Sequence, residues 1–195
     1  MSSNYSITQD LKEAVTMAEG LEDYVRGSEL YGNAGGGFFA NLPSLTVGAL
    51  VMRLRRLQAL RDSLNASQQA QLDSTQQRYN YVQKEWNVHF SEKIVKEANS
   101  RLDAMKTFFA ECAKSSVNCA GNYVPEVLRR TVVQELVPVI EQNRAEAEGL
   151  DAKVRLTDSK LRGIVRSASF SWAAELQSVY PQEAYWWLYQ RPPQD

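Results

Sequence analysis

An all-α fold is what this 195-residue chain predicts, on three observations. Apolar residues recur at steps of three and four along most of its length, the signature of one helical face after another. No run alternates apolar and polar as a half-buried strand does, and hairpin turn chemistry is absent. No proline or glycine interrupts Ser67 to Lys114. The expected architecture is an elongated antiparallel bundle of four to five helices with coiled-coil-like seams. It forms a single unit over residues 1–179, followed by an aromatic segment over 180–195.

The first helix carries Ile7, Leu11, Ala14, Ala18, Leu21 and Val25 at steps of 4, 3, 4, 3 and 4, an a/d seam. Gly27 stops it near Arg26. A glycine-rich connection, 27–43, leads to a helix after Pro43 with Ser44 as N-cap. Val47, Leu50, Leu54, Leu57 and Leu64 share its apolar face. After a turn at Asn65-Ala66-Ser67 comes the longest periodic stretch, Tyr79, Val82, Trp86, Phe90, Ile94, Ala98, Leu102, Met105, Phe109 and Cys112. Read as one helix over about 67–114 it is ~70 Å long, and its run of steps of four relaxes any supercoil.

A loop, Ser115 to Val124, then ends at Pro125, which suits a first helical turn. Leu128, Val132, Leu136 and Val139 form the next face, with Pro138 kinking it by removing the bond to Gln134. A further face, Leu161, Ile164, Ala168, Trp172, Leu176 and Val179, follows a candidate N-cap at Thr157. Periodicity leaves open whether 126–178 is one kinked helix or two.

The 22 basic and 23 acidic residues leave a net charge of −1, which argues against a general polyanion binder while admitting a local basic face. MSSNYSITQD has neither a basic nor an apolar leader region, so the expected location is cytoplasmic. The sequons at Asn4 and Asn65 then carry no glycan. Between Glu29 and Arg53 the chain is uncharged, yet Asn33, Gly35, Gly36, Gly37, Asn41 and Pro43 break the run too often for a membrane-spanning helix. Cys112 and Cys119 are expected as free thiols in a reducing compartment, although oxidation could close a small loop between them.

Catalysis is poorly provided for, and no catalytic, cofactor-binding or metal-binding residue is assigned. His89 is the only histidine, and Glu85 precedes it by one residue too many for the Glu-x-x-His motif of di-metal bundles. Cys112 lies ~34 Å from it on a continuous helix. His89 reads as a hydrogen-bonded residue at the core edge. Gly32, Gly35, Gly36 and Gly37 match no phosphate-binding loop.

Three features point instead to contact. The uncharged segment holds Phe38 and Phe39 and ends in the basic cluster Arg53 to Arg56, which helical phase splits: Arg53 falls beside the apolar face and Arg55 nearly opposite. Tyr185, Trp186, Trp187 and Tyr189 make an aromatic tail, which either caps the bundle or anchors a partner. Arg155, Arg162 and Arg166 fall within about 40° of one another on a helix. That basic stripe is expected to pair with acids such as Glu19, Glu22 and Asp23 unless it meets a polyanion.

The expected function is that of a non-enzymatic structural or adaptor subunit, a homo-oligomer or part of a larger complex. Its partner-binding residues would be Phe38, Phe39, Tyr185, Trp186, Trp187 and Tyr189. One alternative is a peripheral membrane-surface protein using the same aromatics, with Arg53, Arg55 and Arg56 at anionic headgroups. Another is a nucleic-acid-binding assembly protein using Arg155, Arg162 and Arg166.

Overall fold

A computed structural model describes residues 5–33 and 43–193 of the chain; Phe38 and Phe39 lie outside the described residues. The fold is all-α. Its helices are α1 Ile7–Arg26, α2 Val47–Ala59, α3 Ala66–Glu85, α4 Asn87–Cys112, α5 Ser116–Gly121, α6 Tyr123–Gln142 and α7 Leu150–Ile164. Two-residue strands β1 (Arg166–Ser167) and β2 (Gln190–Arg191) pair antiparallel. The chain packs as two compact units, one of Ser6–Glu97 with Glu135–Glu146, the other containing Ala98–Gln134 and the chain from Ala147 onward. Helices α4 and α6 contribute residues to both.

In the unit containing α1, the expected seam is the core: Leu11, Ala14, Ala18, Leu21 and Val25 are buried, joined by Met17 and Tyr24. Ser6 caps α1 by accepting the Gln9 N–H at 3.3 Å. The cap of α2 is Thr46 rather than Ser44; its hydroxyl accepts the Ala49 N–H at 3.1 Å. Asn65 and Gln68 start α3 with a reciprocal capping box.

The single helix expected over 67–114 is two helices, broken at Trp86, whose backbone leaves the helical region (φ −109°, ψ 35°). Tyr79 and Phe90, ~16 Å apart along a straight helix, bring their ring centroids to 5.7 Å. The axis therefore bends at Trp86. The tryptophan N–H still reaches the Val82 carbonyl at 2.9 Å, and its own carbonyl accepts the Phe90 N–H at 2.8 Å. The bend thus leaves both backbone groups of the pivot satisfied, which is why apolar periodicity runs through it unmarked.

In the other unit, α5 forms inside the expected 115–124 loop, with the Ser115 hydroxyl accepting the Asn118 N–H at 3.3 Å. Cys112 and Cys119 are joined by a disulfide, not free, because the turn between α4 and α5 brings their Cα atoms to 4.4 Å. Pro138 lies inside α6, and α6 and α7 are separate helices. Arg144 (φ 50°) and Gly149 (φ 74°) both adopt left-handed backbone in the connection between them. Thr157 is a buried residue within α7, not a cap.

Helix α7 stops at Ile164, so the face expected to continue through Ala168, Trp172, Leu176 and Val179 is not helical. The run Ser167, Ser169, Ser171 explains this, since serine hydroxyls compete for backbone groups and favour non-helical chain. The segment is pinned instead to the tail: the Ala168 N–H bonds the Tyr189 carbonyl at 2.9 Å and the Ser171 N–H bonds the Leu188 carbonyl at 2.7 Å. These changes raise the helix number among the described residues to seven, from the four to five expected. No described helix is long and apolar enough to cross a membrane.

Candidate functional site

A hydrogen-bonded neck joins the two described ends of the uncharged segment. Gly32 and Leu45 form an antiparallel bridge, the Gly32 N–H to the Leu45 carbonyl at 3.0 Å and the Leu45 N–H to the Gly32 carbonyl at 2.7 Å. Around it, the Tyr24 hydroxyl donates to the Leu30 carbonyl at 2.8 Å. The Lys93 ammonium donates to the Glu29 carbonyl and lies 4.7 Å from the centroid of the Tyr24 ring. Glu97 accepts the Gly48 N–H at 2.9 Å, placing its carboxylate at the positive end of α2. Gly32 is demanded by packing: a methyl group there would sit 2.8 Å from Tyr24 Cδ2.

Lys93 and Glu97 are 6% and 0% exposed, one turn apart on α4. Burial holds the Lys93 ammonium below the ordinary lysine range, Lys96 lowers it further, and Glu29 opposes both. Charged groups are rarely buried this far unless they have fixed partners. Sequence reasoning missed both residues. The available signal was charge one position before the seam residues Ile94 and Ala98.

The basic cluster after the segment is engaged by acids of its own unit. Arg53 binds Glu13 Oε2 through Nη2 at 2.6 Å and lies 3.4 Å from Asp10; Arg56 is 3.8 Å from Asp10, and Arg55 is 3.5 Å from Glu135. Of the three arginines expected at headgroups, Arg53 and Arg56 have side chains that are 9% and 11% exposed, and Arg55 is 41% exposed. Asp10, Glu135 and Arg53 are all buried.

The tail residues divide. Tyr185 and Trp187 are interior, Trp187 only 1% exposed, so neither is an exposed partner anchor. The Trp187 indole donates to Thr131 Oγ1 at 3.0 Å and its carbonyl accepts the Tyr123 hydroxyl at 2.8 Å. Arg130 lies over the ring at 4.0 Å, fixed by Asp158 at 2.7 and 3.0 Å. Burial pushes the Tyr123 phenol well above the usual tyrosine range. Trp186 and Tyr189 are half-buried, with the Tyr189 hydroxyl donating to the Tyr180 carbonyl at 2.7 Å.

The expected helical stripe is dismantled by the end of α7. Arg155 pairs with Asp151, Arg162 lies 4.0 Å over the Trp186 ring, and Arg166 belongs to β1, opposite Arg191 of β2. Of the acids expected to balance the stripe, Glu22 pairs with Arg78 at 3.1 Å. His89 is exposed, edge-on to Trp86 at 5.9 Å, and so is not a core-edge residue. Among the described residues, no three His, Cys, Asp or Glu side chains gather as a metal site.

One buried acid stands apart. Glu126 is 5% exposed; Arg129 pairs with one of its oxygens, while the other has no hydrogen-bond partner among the described residues. Burial raises its pKa against the pull of Arg129, and Glu111 adds to the rise. A folded-state pKa above the unfolded one makes the ionised acid destabilising at neutral pH, and that penalty fades as pH falls. Glu126→Gln is therefore expected to stabilise the fold at pH 7. The gain should vanish near pH ~4, where the unfolded glutamate also protonates. Urea titrations at the two pH values would check it, and an equal effect at both would contradict this account.

Comparison of the chain with family models, curated proteins and solved structures finds no match.

Proposed function

We propose that this protein is a non-enzymatic helical scaffold that self-associates through the uncharged segment between Gly32 and Leu45, with Phe38 and Phe39 as contact residues. The neck is the observation that supports this reading. A buried lysine, a buried glutamate and a tyrosine hydroxyl are all directed at the residues where the segment meets α1 and α2. Loops held on a rigid frame are the usual carriers of recognition, and phenylalanine is enriched at the cores of interfaces. A second copy suits the segment as partner. It has no charge to repel its own image, and a net charge of −1 favours association.

Light scattering over a concentration series tests the reading. The wild type should show a mass above that of the monomer, and Phe38→Ser/Phe39→Ser should return it to monomer with an unchanged helical circular dichroism spectrum. A wild type that stays monomeric at high concentration, or a double variant that still associates, would refute it.

A further inference from the structure

We propose that Arg162, Arg166 and Arg191 form a site for the phosphate groups of a single-stranded nucleic acid. This rests on the geometry around β1 and β2 and is independent of the loop contact. Arg166 and Arg191 are direct partners in the strand pair. The Ala168 N–H to Tyr189 carbonyl bond marks the 168–189 pair as hydrogen-bonded. Two residues along, 166 and 191 form a pair of the same kind, with Cα atoms ~5.5 Å apart and side chains on one face. Like charges directly opposite each other disfavour a strand pair. Neither arginine has an acid partner among the described residues; the two aspartates of α7 are engaged elsewhere, Asp151 by Arg155 and Asp158 by Arg130.

Arg162 is the third arginine of the proposed site. It lies four residues before Arg166, within ~14 Å of it by chain length alone, and its guanidinium is laid over Trp186. A last-turn arginine is sufficiently explained by the helix dipole, but the opposed pair is not. Arg166 Nη1 donates to the Val165 carbonyl at 2.8 Å, which leaves the rest of its guanidinium, with that of Arg191, to donate to an anion, and phosphate matches the fork geometry. The flanking residues Ser167, Ser169 and Gln190 are polar, which favours a hydrated strand over a lipid surface. Three charges on a chain of net charge −1 fit a single strand, held partly by stacking on the guanidinium plane, better than a duplex.

The test is fluorescence anisotropy of a labelled oligo(dT) with the full chain at 50 and 200 mM salt. Three phosphate contacts predict a slope of log K against log salt of about −2, so affinity falls about 20-fold between the two conditions. Arg166→Gln/Arg191→Gln should cut binding at least tenfold at 50 mM salt and flatten the slope to about −0.7, whereas Arg155→Gln should leave both unchanged. The double substitution removes the like-charge pair, so its melting midpoint should equal or exceed that of the wild type. Arg191→Gln alone, at an exposed position, gives an intermediate slope of about −1.4 should the double variant fold poorly. Absence of oligo(dT) binding, binding indifferent to these substitutions, or binding to phosphatidylserine vesicles in its place would each overturn the proposal.

Discussion

Trp187→Ala should destabilise the protein by about 4–5 kcal/mol, the upper end of the range for large aromatic truncations in a core. The side chain is 1% exposed, and its removal deletes three things together. The ring's packing against Tyr185 and Trp186 goes, at centroid distances of 5.7 and 5.6 Å. The Thr131 hydroxyl loses its indole donor. The Arg130 guanidinium keeps Asp158 but loses the aromatic face beneath it. Trp187→Phe separates these contributions: it retains most of the apolar area, loses the N–H, and should cost about 1–2 kcal/mol. Urea unfolding followed by circular dichroism at 222 nm measures both without relying on the altered chromophore. A loss under about 2 kcal/mol for the alanine variant would show that the tail is not docked as described.

Arg53→Ala should cost about 3–5 kcal/mol, through a different mechanism. Truncating the guanidinium takes it away from Asp10, 3.4 Å from it, and from Glu13, 2.6 Å from it, while Arg56 stays 3.8 Å from Asp10. Removing one partner of a buried ionic group costs more than the group's net worth, because the remaining charges stay desolvated. Arg53→Ala/Glu13→Gln should accordingly recover part of the loss, with a coupling of about 1–3 kcal/mol in a double-mutant cycle. A coupling near zero would mean that water already screens the pair.

What the sequence made legible was whatever local periodicity encodes. The α1 seam, the inward lean of Arg53 and the break after Gly27 all follow from side-chain phase on one helix, and all are present. Trp86 was missed because a pivot that keeps its own hydrogen bonds leaves the apolar pattern intact. The end of α7 was missed because a continuing apolar rhythm outweighed three serines, whose hydroxyls tip the backbone only where a partner such as Tyr189 waits. Arg191 was invisible for a related reason. A two-residue strand has no period, and its opposition to Arg166 joins positions 25 residues apart in sequence. Lys93 and Glu97 were passed over because polar groups beside a seam read as solvated until the chain ends they hold are known.

The neck also bears on how this chain can change over generations. Because Gly32 and Leu45 are fastened to each other, whatever lies between them is closed off from the register of α1 against α2. Doubling the length of a closed loop costs only about 0.6 kcal/mol. A change of length between those two residues therefore carries a small closure cost. Selection is thereby free to lengthen or shorten that stretch while the Gly32–Leu45 bridge stays in place.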